Sequence, residues 1–210
     1  MLYDKDIREA LFDFLEEKYG KVRVIEEKNM GNSRADIVAV TDDGVMGIEI
    51  KSDADSYARL SGQVKDYDRF FDYNCIVVGS THASKVSEHV PSYWGIVSVE
   101  EIEGFIDFYT IREPEDNPKM IITDKLSLLW RPELAHIQEI NGMFKYKEKS
   151  KRFVIEKISD KISTNTLQKL VCEELFERDY TLIEGIIAEH KKIIDNGKKR
   201  KKKRQKRYKM

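Results

Sequence analysis

The sequence predicts a three-layer α/β sandwich, a mixed sheet between helices in the order α-β-β-β-α-β with additions. Three observations carry that expectation. Two β-rich apolar segments, Asp36 to Val40 and Val45 to Ile50, flank the polar turn Thr41-Asp42-Asp43-Gly44 and read as a hairpin. Apolar residues recur at helical spacing on both sides of it. Cys75-Ile76-Val77-Val78-Gly79 is a short apolar run of the kind that fills a central strand.

In chain order, Ile7, Leu11 and Leu15 mark a first helix, with Asp4 or Asp6 to cap it and Gly20 to stop it. Val22 to Lys28 follows as a strand, then the loop Asn29 to Asn32, then the hairpin. Asp53 to Phe71 is expected as one helix, with Leu60, Val64, Tyr67 and Phe71 as its core stripe and Ser52, Asp53 and Asp55 as caps. After the Cys75 strand come a short helix over 84–90, ending at Pro91, and strands over 95–99 and 105–111, with Trp94 as a core anchor. Glu113-Pro114-Glu115-Asp116-Asn117-Pro118 marks a boundary. Beyond it, helices are expected from Thr123 and from Pro132, the latter with Leu134, Ile137 and Ile140 on one face. A basic linker over 145–152 and three short amphipathic helices near 153–158, 166–176 and 181–194 complete this part. The expected division is therefore 1–113 for the sandwich, 114–197 for a helical C-terminal region and 198–210 for a tail.

Composition narrows the function classes. The 210 residues are 36% charged and 40% hydrophobic, with no apolar run approaching a membrane span and no basic-then-apolar leader. A soluble cytoplasmic protein is expected. A net charge of −1 hides a strong asymmetry. Ten of the twelve residues from 198 to 209 are basic: Lys198, Lys199, Arg200, Lys201, Lys202, Lys203, Arg204, Lys206, Arg207 and Lys209. With those ten set aside, 27 basic residues face 38 acidic ones, a net −11. Such a run repels itself, is expected to be disordered alone, and suits an arm that binds nucleic-acid phosphates by counterion release; a solubilising terminus is the plainer alternative. Cys75 and Cys172 lack metal-ligand or CxxC spacing and are expected as free thiols. The histidines His82, His89, His136 and His190 show no zinc spacing, and no phosphate-cradling glycine motif occurs, so no nucleotide cofactor is expected.

The hairpin carries the chemistry. If its turn centres on Asp42-Asp43, Asp36 stands opposite Glu49; if on Asp43-Gly44, it faces Lys51. Side chains alternate along a strand, so Glu49 and Lys51 share a face, and Asp36 joins them in either register. Two carboxylates beside the Ile50 backbone carbonyl offer hard oxygen ligands to Mg2+ or Mn2+. Lys51 can then orient water, take its proton or balance phosphate charge. A structural carboxylate–lysine cluster is the competing reading. Glu9 on the first helix, and Glu26 or Glu27 at the end of the first strand, are candidate additional ligands. On the following helix Gln63 and Tyr67 lie four apart and share a face.

That element order with Asp-x12-Glu-x-Lys and Gln-x3-Tyr resembles the PD-(D/E)XK nuclease superfamily, through Asp36, Glu49, Lys51, Gln63 and Tyr67. Finer matches at Glu27, Arg34-Ala35-Asp36, Arg59-Leu60, Trp94-Gly95 and Leu128-Leu129-Trp130-Arg131 resemble an MmcB-like, Holliday-junction-resolvase-like branch found in bacteria and phages. The likeness runs from about Ala10 to Arg178, with Ala35 where the superfamily has proline. The resemblance implies a restriction-endonuclease-like fold and metal-dependent phosphodiester hydrolysis. In it Asp36 and Glu49 bind the ion, Lys51 assists the water, and Gln63 and Tyr67 belong to the site's helix motif; Gln63 is then a candidate catalytic residue, Glu27 or Glu9 a candidate further ligand, and Arg34 and Tyr67 candidate DNA contacts. It also implies a bacterial or phage-encoded protein in DNA repair, recombination or defence, with DNA as partner and pairing of two copies left open. The rival is an adaptor that keeps the fold for DNA binding without cutting.

Overall fold

Among the described residues, 2–178 of a computed structural model, six strands form one mixed sheet in the order β1-β2-β3-β4-β5-β6. They are β1 Arg23–Met30, β2 Ser33–Val40, β3 Val45–Lys51, β4 Tyr73–Gly79, β5 Gly95–Ile102 and β6 Phe105–Arg112. The β3–β4 and β4–β5 pairs are parallel and the other three antiparallel. The helices are α1 Asp4–Tyr19, α2 Leu60–Phe70, α3 Ile122–Leu126, α4 Arg131–Ile140, α5 Lys151–Lys161 and α6 Thr164–Phe176, with a 3-10 turn at Val86–Glu88.

Alternation along the strands sorts two cores, one on each face of the sheet. On one, Ile7, Leu11 and Leu15 of α1 pack with Ile37, Ile48, Ile50, Val77 and Val99. On the other, Leu60 and Tyr67 of α2 join Leu134, Val154, Val171 and Leu175 of α4 to α6 over Val38, Val40, Val78 and Trp94. Burying each such aliphatic side chain is worth about 1.5–3 kcal/mol, so the three α1 anchors alone fix that helix on the sheet. The α/β sandwich with a mixed sheet is therefore present. Gly47 in β3 permits close approach of α2's end, because a Cβ there would overlap the rings of Phe71 and Tyr67.

Four local expectations differ. Residues 53–59 are not helical: Asp55 accepts from the Ser52 amide at 2.9 Å and the Ser52 hydroxyl at 2.7 Å, while Asp53 accepts from the Thr81 hydroxyl at 2.7 Å. These acids bond to loop groups instead of capping a helix, and α2 starts only at Leu60. The helix expected over 84–90 shrinks to the 3-10 turn ahead of Pro91. Ile140 is exposed, and Gln138 is buried in its stead, its amide donating to the Phe144 carbonyl at 2.7 Å. The basic linker ends early, since the Ser150 hydroxyl accepts the Phe153 amide and starts α5 at Lys151.

The boundary expected at 113/114 does not divide the packing. Met1–Phe176 form one compact unit. Besides the shared core, Asp72 just beyond α2 accepts from the Val45 amide at 2.8 Å, from Lys125 Nζ of α3, and from Gln168 Nε2 of α6 at 3.3 Å. Lys125 is fully buried there. A second unit, Glu177–Met210, lies almost wholly outside the described residues, as do the helix expected over 181–194 and the basic tail. No helix among the described residues is long and apolar enough to cross a membrane.

Candidate active site

The pairing Ile37↔Ile48 through Val40↔Val45 sets the hairpin so that Asp36 stands opposite Glu49, the first of the two registers allowed by sequence. The ladder stops at Ile37 and Ile48, one residue short of the two acids. On its other side Asp36 also lacks a ladder partner, because β1 pairs at Glu26 and Lys28 but not at Glu27. Glu27 takes φ +50°, a left-handed conformation costly for a residue with a Cβ. Asp36 thus sits in a gap in the sheet, and side chains satisfy its backbone. The Tyr67 hydroxyl accepts its amide at 3.3 Å, and Arg8 donates to its carbonyl at 3.1 Å.

A cleft of about 770 Å3 opens over this gap. Asp36, Glu49 and Lys51 all line it, and so does Ile50, whose buried side chain belongs to the α1-side core and which therefore shows its backbone to the cleft. Asp36 Oδ2 accepts from the Ile50 amide at 2.9 Å, and Oδ1 lies 3.4 Å from Arg8. Glu49 is buried and held at both oxygens: Oε1 accepts from Lys51 Nζ and Gln63 Nε2, and Oε2 from the Tyr67 hydroxyl at 2.8 Å. Gln63 Oε1 is buried without a partner. Burial pushes the Asp36 carboxyl up to about 6, helped by the neighbouring Glu49 carboxylate and opposed by the Ile50 amide and Arg8. Burial, with the same two acids, also holds the Tyr67 phenol well above its ordinary value, so it stays a hydrogen-bond donor.

The other expected residues distribute unevenly. Arg34 lines the cleft on the same face of β2 as Asp36 and pairs with Glu27, also at the cleft, at 3.1 Å. Glu26 does not line the cleft, although it lies 3.7 Å from Arg8, which does. Glu9 is exposed and does not line the cleft; α1 presents Asp4 and Arg8 there, with Arg8 Nε bonded to Asp4 at 2.7 Å. Sequence reasoning missed Arg8, although its i, i+4 relation to Asp4 was a legible sign of a paired guanidinium. It also passed over Asp66 on α2, which accepts from the Asn32 amide at 3.2 Å and the Ser33 hydroxyl at 2.6 Å. That staples the β1–β2 turn, with Gly31 at φ +52°, to α2.

Whether the donor set suits a divalent ion turns on two observations. Two carboxylates converge, and the Glu49 charge adds to the burial that pushes the Asp36 carboxyl up. Against a full cage, no group of three or more His, Cys, Asp or Glu residues spaced to hold a metal occurs among the described residues. Two carboxylates and a backbone carbonyl fit Mg2+, which keeps several waters and uses few protein ligands.

Comparison with known proteins gives three matches. The family model described as bacteriophage P4 protein cII matches residues 1–196. Protein cII of Enterobacteria phage P4 is 26% identical over 181 residues, covering 85% of this chain and 68% of that protein. The structure of Pyrococcus furiosus SfsA in complex with Ca2+ aligns with 53% of this chain and 64% of its own, at 16% identity and a TM-score of 0.34.

Proposed function

This chain belongs to the bacteriophage P4 protein cII family, and from the geometry of its cleft we propose that it is a divalent-metal-dependent deoxyribonuclease of restriction-endonuclease-like design. The observation that carries the reading is the meeting of Asp36 and Glu49 across an interrupted ladder, with Lys51 on the same face and ion-paired to Glu49. A purely structural cluster has no need to bring two carboxylates together in a largely buried cleft.

Asp36, Glu49 and the Ile50 carbonyl are the groups that would hold Mg2+ or Mn2+. When bound, such an ion supplies Lewis acidity toward a phosphodiester and lowers the pKa of water. Gln63 and Tyr67 fix the Glu49 carboxylate, so its orientation is set before any ligand arrives. Lys51 brings a positive charge to the cleft, placed to orient an attacking water and to balance charge on the phosphate. Arg8 steadies Asp36 from α1.

One observation favours the adaptor reading: both Glu49 oxygens are already taken by protein donors. A single assay separates the two. Purified protein with Mn2+ or Mg2+ is expected to cleave at least one of plasmid, linear, nicked or four-way DNA, and Lys51→Ala and Asp36→Ala to abolish cleavage while remaining folded. Cleavage of none of these substrates, with DNA binding intact in Lys51→Ala, would establish the adaptor.

A further inference from the structure

Helix α2, with Arg59 just before it, forms one bank of the cleft, where Arg59, Gly62, Gln63, Lys65 and Asp66 line it. Arg59 and Lys65 are exposed, and neither enters an ion pair among the described residues. This is uncommon here, where Arg8, Arg34 and Lys51, the other cations of the cleft, are all paired with acids. Between the two free charges stands Gly62, in the first turn of α2. Glycine favours a helix less than alanine, and no neighbour in the fold requires it here: a Cβ at this position would meet nothing within 4 Å. Gly47 and Gly31, by contrast, are each required by a neighbouring side chain.

A bare stretch of helix, flanked by two unpaired cations and opening into a polar cleft, leaves room for something to lie against the helix. We propose that the Arg59–Gly62–Lys65 strip is the seat for the phosphodiester backbone of a DNA strand. The two cations engage phosphates on either side, and the missing side chain lets the sugar-phosphate chain approach the helix within van der Waals distance. The assignment rests on the reading of this cleft as a DNA site but not on its cutting DNA.

Fluorescence anisotropy with a labelled DNA duplex, on the full chain with metal withheld so that nothing is cleaved, tests it. Gly62→Ala is expected to melt no lower than the wild type and yet to bind DNA roughly tenfold more weakly, the cost of losing one phosphate contact and of lifting the strand off the helix. Arg59→Gln and Lys65→Gln should each reduce the slope of log K against log salt by about 1, whereas Lys169→Gln, outside the cleft, should not change binding through this strip. Wild-type affinity in Gly62→Ala, or an unchanged salt slope in both glutamine variants, overturns the proposal. So does weaker binding by Gly62→Ala accompanied by a lowered Tm, which would place the need for glycine inside the fold. A wild type that binds DNA but cuts none removes the nuclease reading and leaves this one standing.

Discussion

The Tyr67 hydroxyl donates to Glu49 Oε2 at 2.8 Å while accepting the Asp36 amide at 3.3 Å, so one phenol on α2 touches both acids of the candidate site. Tyr67 is fully buried against Phe71 and Trp94. Tyr67→Phe keeps that packing and removes only the hydroxyl. It leaves a buried carboxylate oxygen and an amide unpaired, at a cost of roughly 1–3 kcal/mol. For a chain of this size that is a Tm lower by about 2–12 °C in a thermal melt. An unchanged Tm would mean that the hydroxyl is not part of the fold's support.

Asp36 makes stability depend on pH in an unusual direction. Its carboxyl is raised to about 6 in the folded protein, mainly by burial and then by Glu49. The native state therefore binds this proton more tightly than the unfolded chain does, and the stability it contributes is fully present below about pH 4 and lost as pH rises through about 6. At neutral pH the charged form costs on the order of 2–3 kcal/mol. Asp36→Asn should thus raise Tm near pH 7.5 without metal, with the gain shrinking toward pH 4, as scanning fluorimetry across pH would show. A variant that melts lower than the wild type at neutral pH would contradict the sign.

Divalent metal should reverse that cost. Adding Mn2+ near pH 7.5 at about 100 times its Kd should stabilise the wild type by roughly 2.7 kcal/mol, with no comparable shift in Asp36→Asn. Equal shifts in the two proteins would locate the metal elsewhere.

Lys125, fully buried, pairs with the largely buried Asp72 and so joins α3 to the edge of the hairpin. Lys125→Met removes the cation and leaves the carboxylate with only the Val45 amide and Gln168. Breaking a buried pair from one side costs about 3–5 kcal/mol, so the urea midpoint should fall steeply. Lys125→Met with Asp72→Asn should recover part of the loss.

Removing residues 198–210 should weaken DNA binding and flatten its salt dependence, since up to ten cations leave with the segment. Equal affinity and equal slope in the truncated chain would assign the segment another role.

The hairpin, its two allowed registers and the shared face of Asp36, Glu49 and Lys51 were legible, as were the helical stripes of α1 and α2, because period-2 and period-3.6 patterns fix which residues share a face. What was hidden depended on contacts between distant segments. Asp53 and Asp55 look like helix caps until Thr81 and Ser52 claim them. Glu9 and Arg8 are neighbours on α1, and only the docking angle of that helix decides which one meets Asp36. The helices after Arg112 look like an appendage in sequence, since nothing local announces that Leu134 and Val171 share a core with β2 and β4. Gly62 resembles any helix glycine until the empty space beside it is seen.

Asp66 ties the β1–β2 turn to α2 through the Asn32 amide and the Ser33 hydroxyl, so the two walls of the cleft are riveted to each other. With that corner of the cleft pinned, a DNA strand bound as proposed would meet a preset gap there, and DNA already loosened at a nick, a branch or an end would fit it at a lower deformation cost than an intact duplex.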